Sequence, residues 1–525
     1  MKSLSIQWRG SYPRTQLGRL TKTLPHLQWA TLLTGLVLFG LYVALFAAIQ
    51  FATPNMADND GYYHIKLAQL IRQEGWRPAF PWLPQTVLNA DDFVDHHFLY
   101  HVLLIPFTFG DLREGAKWAS IVFPALTFVA GWLLLRGQRI PFAALWSLGF
   151  FIVSEAFLYR LSMPRAQAVS LLVLLLVLHV TLTGRYRWLA PLAFLYVWFY
   201  NAFPLILMVV GVYVACRWLL ERRLDLTPLV YAAAGLILGL VINPYFPDNL
   251  LFIYHHFLPK LTDATATSVG NEWYPYQTWT LVENSGLALL FFIAGAFALG
   301  LQERRIDTRT ATAFVLAVLF GLMLFKSRRF VEYFPPFVLI FTALAWTPLL
   351  QNWLKGQTGQ VNLSLAGWRR RVVAAGMLLV LLPALWLNVQ ATRESMQNAK
   401  PYQRYAEASA WLRNNTPADS RVFQTDWDDF PRLFFYNTHN TYTIGLDPTY
   451  MQLYDADLYD LWVNITRGKV ETPARTIAET FEAHYIITDL DHKGFLRQVK
   501  ADPDLVEVYR DKYAAVFQVT EPQSE

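Results

Sequence analysis

The chain has 525 residues, of which 54% are hydrophobic, 16% aromatic and only 16% charged. About a quarter of the residues in a soluble globular domain are charged, so this composition excludes an ordinary soluble protein and indicates a polytopic membrane protein. A net charge of +5 would suit a nucleic-acid partner, but the basic residues lie in short clusters between apolar runs, as the positive-inside rule places them, which argues against such a partner. The single cysteine, Cys216, excludes a disulfide framework and a thiolate metal site.

Eleven apolar runs predict membrane-spanning helices. The first carries no charge and is long enough to cross a hydrocarbon core of roughly 30 Å. Its length and the lack of a small-residue cleavage site favour a retained span over a signal peptide. We expect about 11 to 13 spans, with the apolar runs at residues 29–51, 115–135, 141–158, 166–183, 187–202, 203–219, 228–243, 285–301, 309–325, 331–350 and 372–390.

Basic clusters predict the orientation of these spans. If the N-terminus is cytoplasmic and the spans alternate, six clusters lie on the cytoplasmic side, as the positive-inside rule requires. An odd number of spans then places the C-terminal segment outside, and we expect the membrane to be a prokaryotic inner or plasma membrane. The clusters are Arg9/Arg14/Arg19/Lys22, Arg136/Arg139, Arg185/Arg187, Arg217/Arg222/Arg223, Arg304/Arg305/Arg309 and Arg369/Arg370/Arg371.

One basic cluster, Lys326-Ser327-Arg328-Arg329, falls on the outer side. Either the span count is wrong by one at this point, or positive charge is needed there to bind an anion. The outer loops are also the long ones, at about residues 52–114 and 243–284. They hold several acidic residues and histidines, among them Asp58, Asp60, Asp91, Asp92, Asp95, His96, His97, His101, His255 and His256.

The character of the chain changes after the last apolar run. Short apolar stretches at 421–423 and 485–488 alternate with a helical pattern at 405–413, which is typical of a compact α/β domain. The sequence therefore predicts a helical membrane domain over residues 1–394 and an extracytoplasmic α/β domain over residues 395–525.

The outer loops contain groups that suit phosphate chemistry. Carboxylates hold a divalent cation through oxygen, and the cation together with arginine neutralises a phosphate leaving group. A polyprenyl phosphate fits this arrangement, because its tail belongs in lipid and its head at the surface. Solvated loop acids are common as well, so Asp58 and Asp60 on their own do not decide between these interpretations.

Four short motifs in order along the chain resemble those of the catalytic subunit of oligosaccharyltransferases, which are GT-C membrane glycosyltransferases. Asn59-Asp60-Gly61-Tyr62 follows the first span, as the first acidic motif of that family does. Ser268-Val269-Gly270-Asn271-Glu272 is similar to a motif ending in Glu, and Arg328-Arg329-Phe330-Val331-Glu332-Tyr333 to an Arg-Phe element. Thr425-Asp426-Trp427-Asp428-Asp429-Phe430 is similar to the Trp-Trp-Asp-Tyr-Gly acceptor motif.

The resemblance implies a GT-C fold, a polyprenyl-linked sugar donor and roles for individual residues. Asp60 and Glu272 would be catalytic, and Arg329 with Arg328 would bind the donor phosphate. Trp427 and Asp428 would bind the acceptor, although Trp427 also suits the core of the outer domain. A divalent cation, Mg²⁺ or Mn²⁺, would be held by members of the set Asp58, Asp60, Glu272, Asp95 and His96.

Two departures from the family pattern change these expectations. The second acidic motif is replaced by Tyr159-Arg160-Leu161-Ser162-Met163-Pro164-Arg165, which lacks Asp. Either Asp95, His96 or His97 substitutes as a ligand, or Arg160 and Arg165 supply positive charge in place of the metal. The acceptor motif has Asp426 where Trp is expected, so recognition of an Asn-x-Ser/Thr peptide is open.

Three functions fit the sequence. The first is transfer of a glycan from a polyprenyl-(di)phosphate donor to a protein, lipid or glycan acceptor outside the membrane. The second is transfer of a monosaccharide from a polyprenyl monophosphate to lipid or polysaccharide. The third is a transporter or a non-catalytic assembly protein of an envelope glycan pathway; a transporter, however, would concentrate polar residues at mid-membrane, whereas here they lie in the outer loops.

Overall fold

The computed structural model describes residues 25–262, 270–355 and 363–520. The basic cluster between Arg9 and Lys22, and Ser268-Val269 of the predicted Glu272 motif, lie outside these ranges. Helices dominate the described chain: α1 Pro25–Gln50, α2 Asp60–Glu74, α3 Phe98–Leu104, α4 Leu112–Gly137, α5 Ala143–Leu148, α6 Glu155–Leu161, α7 Gln167–Leu182, α8 Leu189–Phe199, α9 Leu205–Glu221, α10 Thr227–Val241, α11 Asp248–Thr262, α12 Thr278–Gly300, α13 Thr308–Lys326, α14 Phe334–Lys355 and α15 Leu363–Gln397.

The apolar runs of the sequence all fall on helices, and the chain is an integral membrane protein. Six helices of the described chain have the length and composition to cross a membrane, at Trp29–Gln50, Leu112–Gly137, Thr278–Gly300, Thr308–Lys326, Phe334–Leu354 and Gly367–Gln397. A pair of short helices bent by 85°, Ala143–Phe151 and Glu155–Leu161, is a broken span or a re-entrant loop.

Four further apolar runs lie on helices that are shorter than a usual crossing. These helices, α7 to α10, have 16, 11, 17 and 15 residues, whereas a helix perpendicular to the membrane needs about 20. The polytopic helical fold is therefore confirmed. Helix length alone supports six or seven crossings, and the expected 11 to 13 crossings stay a prediction.

A small mixed sheet with flanking helices follows α15. The helices are α16 Ala406–Asn415, α17 Phe430–Tyr436, α18 Thr449–Tyr454, α19 Ala456–Thr466, α20 Pro473–Thr480 and α21 Lys493–Ala501, and the strands are β1 Arg421–Gln424, β2 Thr441–Tyr442, β3 Ala483–Asp489, β4 Leu505–Arg510 and β5 Ala514–Val519. The strand order is β2-β1-β3-β5-β4. Strand β1 pairs in parallel with β2 and β3, and β5 runs antiparallel to β3 and β4. This C-terminal α/β domain confirms the predicted fold class.

The α/β domain packs on the first long loop of the helical domain. Trp82 in that loop stacks edge-on against Phe434, with ring centroids 4.9 Å apart, and its carbonyl accepts a hydrogen bond from the backbone of Tyr442 at 2.9 Å. Both aromatic side chains are at least nine-tenths buried. The loop and the α/β domain therefore share one apolar cluster, which fixes the polar residues beside it.

Gly61 allows α2 to approach the segment between α6 and α7. A Cβ atom added at Gly61 would lie 2.1 Å from Cγ of Pro164, a distance that no packed structure accommodates without a shift. The contact places Asp60, the first residue of α2, beside Arg165.

Candidate active site

A cavity of about 490 Å³ lies between the helical domain and the α/β domain. Segments that are far apart in the sequence line it. Its walls include Asp58, Asp60, His64, His96, His97, Arg165, Tyr200, His256, Glu272, Trp273, Arg329, Asp426, Trp427, Asp428, Asp447 and Tyr450. Most of the predicted site residues therefore face one space.

Arg165 binds the two acidic residues of the first motif. Its guanidinium donates two hydrogen bonds to the carboxylate of Asp58, and its Nη2 lies 3.1 Å from Oδ2 of Asp60. The backbone N–H of Asp60 also donates to Oδ2 of Asp58 at 3.1 Å, which locks the turn before α2. A bidentate guanidinium is a strong and directional partner for a carboxylate.

Glu272 lies among three arginines. Its Oε2 is 3.0 Å from Nη2 of Arg160 and 3.4 Å from Nη1 of Arg165, and its Oε1 is 3.1 Å from Nη1 of Arg329. Arg160 also donates to Glu332 at 2.7 Å. Four carboxylates and three guanidiniums thus form one continuous network, in which Glu272 holds the arginines together.

Two carboxyl groups of the network, those of Asp60 and Glu272, have pKa values shifted in opposite directions. Burial raises the pKa of Asp60 to about 7, against the opposing attraction of Arg165. Burial acts in the same sense on Glu272, but Arg329, Arg160 and Arg165 outweigh it and hold the pKa of Glu272 well below its ordinary value. Asp60 is therefore the member of this pair that exchanges a proton near neutral pH.

Arg329 is the arginine of the network that a ligand reaches most easily. Its side chain is 22% exposed, compared with 12% for Arg160 and 15% for Arg165. It donates a hydrogen bond to Tyr200, and its guanidinium lies 5.0 Å from the ring centre of Trp273. These contacts hold the guanidinium of Arg329 in the wall of the cavity.

Arg328 points away from Arg329. Its Nε donates to the carbonyl of Pro275 at 3.2 Å, and its guanidinium lies over the ring of Tyr276 at 5.2 Å. It lines a second cavity of about 420 Å³ together with Arg160, and Glu272 lines both cavities. The structure therefore places the predicted phosphate-binding pair on opposite sides of Glu272.

The predicted acceptor residues come from the α/β domain. Trp427 and Asp428 both line the first cavity, and Asp426 caps their turn by accepting from the backbone N–H of Asp428 at 3.0 Å. Oδ2 of Asp428 accepts a hydrogen bond from Nδ2 of Asn59 at 2.6 Å. The first acidic motif and the fourth motif thus meet in space.

Asp95 and His96, two of the predicted metal ligands, are not held with the carboxylates of the network. Oδ2 of Asp95 lies 2.7 Å from Nδ1 of His101, and Asp95 is 4% exposed. The ring of His96 stacks on Phe252, with centroids 4.9 Å apart. His96 does reach the cavity, on the wall formed with His97 and His256.

The network is a poor fit for a divalent cation among the predicted ligands. A metal needs lone pairs on converging oxygens, but both oxygens of Asp58 and Glu272 and Oδ2 of Asp60 are already directed at guanidinium groups. Arg165 occupies the position between these carboxylates. Of the two alternatives left by the missing second acidic motif, the contacts favour positive charge from Arg160 and Arg165.

A different acidic group could hold a metal ion. Ligand atoms of Asp426, Asp429 and Asp489 lie within 4.8 Å of one another in the α/β domain. Two of these carboxylates already have partners, because Asp429 accepts from Tyr405 and Asp489 lies 2.9 Å from Nη2 of Arg404. No motif of the sequence predicted this group as a metal site.

Comparisons with known proteins support the same architecture. Neither a protein-family model nor a curated protein matches the sequence. Among solved structures, the apo oligosaccharyltransferase of Archaeoglobus fulgidus is similar with a TM-score of 0.63 at 15% identity, over 89% of this chain and 71% of that one. ArnT from Cupriavidus metallidurans, bound to undecaprenyl phosphate, is similar with a TM-score of 0.54 at 16% identity, over 95% of this chain and 99% of that one.

The chain has the GT-C fold. The resemblance inferred from four short motifs is thereby confirmed for the fold, although sequence identity is low throughout. The same archaeal enzyme, AglB, in complex with an inhibitory peptide and a dolichol-phosphate has a TM-score of 0.63 at 15% identity, over 91% of this chain and 72% of that one. Two structures with the GT-C fold thus hold a polyprenyl phosphate.

Several residues of the site were not assigned a role from the sequence. Tyr200 and Glu332 contact the arginines, and His256 lines the cavity opposite them. His64 also lines the cavity; it lies one helical turn after Asp60, on the same face of α2. That spacing was a usable signal, whereas Tyr200 lies within the apolar run at residues 187–202 and belongs to no local motif.

Proposed function

We propose that this protein is a membrane glycosyltransferase that moves a glycan from a polyprenyl-(di)phosphate donor to an acceptor on the extracytoplasmic side. The observation that carries the proposal is the convergence of Asp60 and Arg329 on one cavity. Each lies within about ten residues of the end of an apolar helix, since α1 ends at Gln50 and α13 at Lys326. The cavity therefore lies at one end of the helical domain, where a lipid headgroup would be.

The roles of the residues follow from their contacts. Arg329, the most exposed guanidinium of the network, would stabilise the negative charge on the departing phosphate. Asp60 would orient the acceptor or take its proton. Glu272, which contacts three arginines, acts in this proposal as a positioning residue that keeps Arg329 directed at the donor. Trp427 and Asp428 would contact the acceptor.

The orientation expected from the basic clusters belongs to this proposal. A cytoplasmic N-terminus and an extracytoplasmic α/β domain, beginning at about residue 395, put the cavity on the outer face of the membrane. The setting would be a prokaryotic inner or plasma membrane. A polyprenyl-linked donor would then reach the cavity with its tail still in the bilayer.

A second candidate is transfer of a single sugar from a polyprenyl monophosphate. It is favoured by length, because the alignment spans 99% of the ArnT chain but only 71% of the archaeal oligosaccharyltransferase. The altered acceptor motif, with Asp426 in place of Trp, points in the same direction. The two candidates share the site and differ in donor and acceptor.

The test is transfer in proteoliposomes supplied with a labelled polyprenyl-diphosphate oligosaccharide or a labelled polyprenyl-monophosphate hexose. Asp60→Asn and Arg329→Ala should each lower transfer by about 100-fold or more, and lipids that co-purify with Asp60→Asn should reveal the donor by mass spectrometry. Asp92→Asn, an exposed change in the same loop, is the matched control. If neither donor is used and no lipid-linked sugar co-purifies, the assembly-protein or transporter interpretation replaces this one.

A further inference from the structure

Three buried side chains of the first long loop form a hydrogen-bonded chain that ends at the cavity. Oδ2 of Asp95 lies 2.7 Å from Nδ1 of His101, and Nε2 of His101 lies 2.7 Å from Nδ1 of His64. The three residues are 4%, 0% and 5% exposed. Of the three, His64 alone lines the cavity. We call these residues the histidine relay.

Local structure holds each member of the relay in place. His64 is on α2, one turn after Asp60, and His101 is on α3. Oδ1 of Asp95 accepts from the backbone N–H of His97 at 3.0 Å, so the carboxylate is fixed at the start of α3 with Oδ2 turned to His101. The ring of His64 also packs edge-on against Tyr100, at 5.3 Å between centroids, which limits its rotation.

The order of hydrogen bonds determines which nitrogen of each ring carries the proton. A carboxylate only accepts, so His101 must donate to Asp95 from Nδ1, and its Nε2 is then an acceptor. His64 must in turn donate to His101 from its own Nδ1. The remaining nitrogen, Nε2 of His64, therefore carries a lone pair, and it hydrogen-bonds to no residue of the described chain.

The surroundings of His64 keep this ring neutral before reaction. Burial, reinforced by the nearby His101, Arg165 and His96, lowers the pKa of His64 well below its ordinary value. Asp60, the other candidate for the proton, has its carboxylate 3.1 Å from the guanidinium of Arg165. The carboxylate of Asp60 is thus engaged by Arg165, whereas Nε2 of His64, one helical turn away at the same cavity, has an available lone pair.

We propose that Nε2 of His64 accepts the proton of the acceptor during glycosyl transfer, with Asp95 and His101 as positioning residues. This inference rests on the proposed function and deepens it, because it leaves Asp60 to orient the acceptor. The attacking oxygen or nitrogen of the acceptor forms a bond to the anomeric carbon, and the bond from that carbon to the phosphate oxygen breaks with its electron pair on the phosphate. The acceptor proton moves to Nε2 and later to water.

The histidine relay gives His64 a hydrogen-bonded connection, through His101, to a buried carboxylate. When His64 gains a proton, its Nδ1–H keeps the hydrogen bond to Nε2 of His101, and the Nδ1–H of His101 keeps its bond to the carboxylate of Asp95. The carboxylate at the end of this chain lowers the cost of a buried imidazolium. The relay thus offers the transferred proton a compensated position.

The experiment compares initial rates of transfer in proteoliposomes for the wild type, His64→Gln, His64→Ala, Asp95→Asn and His484→Ala. His64→Gln keeps a hydrogen-bonding side chain but cannot take the proton, so kcat should fall by about 100-fold or more while the KM for the donor changes little. Imidazole should restore part of the kcat of His64→Ala and none of that of Asp60→Asn. Asp95→Asn should lower kcat by about 10-fold or more without changing KM, because the amide no longer enforces the tautomer of His101.

His484 is exposed on β3, so His484→Ala should behave as the wild type in rate and melting temperature. If His64→Gln transfers at the wild-type kcat, or if His64→Ala is folded, inactive and unaffected by imidazole, the relay is wrong while the proposed function stands. If His64→Ala does not fold, His64→Gln decides. If the wild type uses neither donor, the proposed function and the relay fall together.

Discussion

Asn59 and Asp428 are 369 residues apart in the sequence and are joined by a hydrogen bond of 2.6 Å from Nδ2 to Oδ2. Asn59 also donates to the backbone carbonyl of Asp428 at 3.1 Å and accepts from Nε of Arg432 at 2.8 Å. Arg432 is 1% exposed and stacks over the ring of Tyr62. One side chain of the first motif therefore ties the α/β domain to the helical domain beside the cavity.

Replacing Asn59 by Leu should loosen this junction. The change leaves the buried guanidinium of Arg432 without its Asn59 partner, which costs about 1 to 3 kcal/mol. We expect a lower melting temperature of the detergent-solubilised protein and faster proteolysis after α15. Asn415→Leu is the control, because Asn415 is exposed and its side chain bonds only within α16, to Trp411. Equal melting temperatures for the two variants would contradict the role of Asn59.

Replacing Gly61 by Ala should separate α2 from the segment that carries Arg165. The new methyl group would lie 2.1 Å from Cγ of Pro164, so the two segments must move apart and the 3.1 Å contact between Arg165 and Asp60 must lengthen. We expect transfer to fall by about 10-fold or more, since small misplacements of catalytic groups are costly. Gly40→Ala is the control, as a Cβ there meets nothing within 4 Å; a drop of the same size in that variant would refute the steric explanation.

The sequence predicts the fold better than it predicts the pairing within the site. Apolar runs and the change in character after the last one are local features, and they locate the helices and the α/β domain. The bond between Arg165 and Asp58 joins residues 107 positions apart. Such contacts depend on how helices pack, so periodicity and composition carry no signal for them.

The order of the motifs predicted most of the residues that line the cavity. The roles of two residues, Glu272 and Asp95, could not be predicted, because these roles depend on which side chains surround them. Glu272 was expected to be catalytic or a ligand, and only the structure shows it surrounded by three arginines. Asp95 was expected near a metal, yet its carboxylate faces His101. The residue types in each loop can be read from the sequence, but the directions of the Glu272 and Asp95 side chains are determined by the packing of the segments around them.

The pH dependence of transfer should report the ionisation of Asp60. Burial raises its pKa to about 7, with Arg165 and Arg329 opposing and Asp58 and Glu272 reinforcing the shift. If the carboxylate orients the acceptor, the rate rises with pH through about 7 and reaches a plateau above it, because the protonated form is the inactive one. The rates between pH 5.5 and 8.5, at saturating donor, test this. In Asp60→Asn the residual rate should lack that step, and a step at the same pH would assign it to another group.

Removing metals should leave transfer unchanged, because Arg165 fills the position between Asp58, Asp60 and Glu272. We expect the wild-type rate to stay within about twofold after treatment with EDTA, while Arg165→Ala loses about 100-fold or more through the loss of positive charge beside these carboxylates. The vacated position in Arg165→Ala would have free carboxylate oxygens, so Mg²⁺ or Mn²⁺ should restore part of its activity. Arg139→Ala, a change in a basic cluster that lines neither cavity, should respond to neither reagent. A wild-type enzyme that EDTA inactivates and Mn²⁺ restores would show that the arginine does not replace a metal.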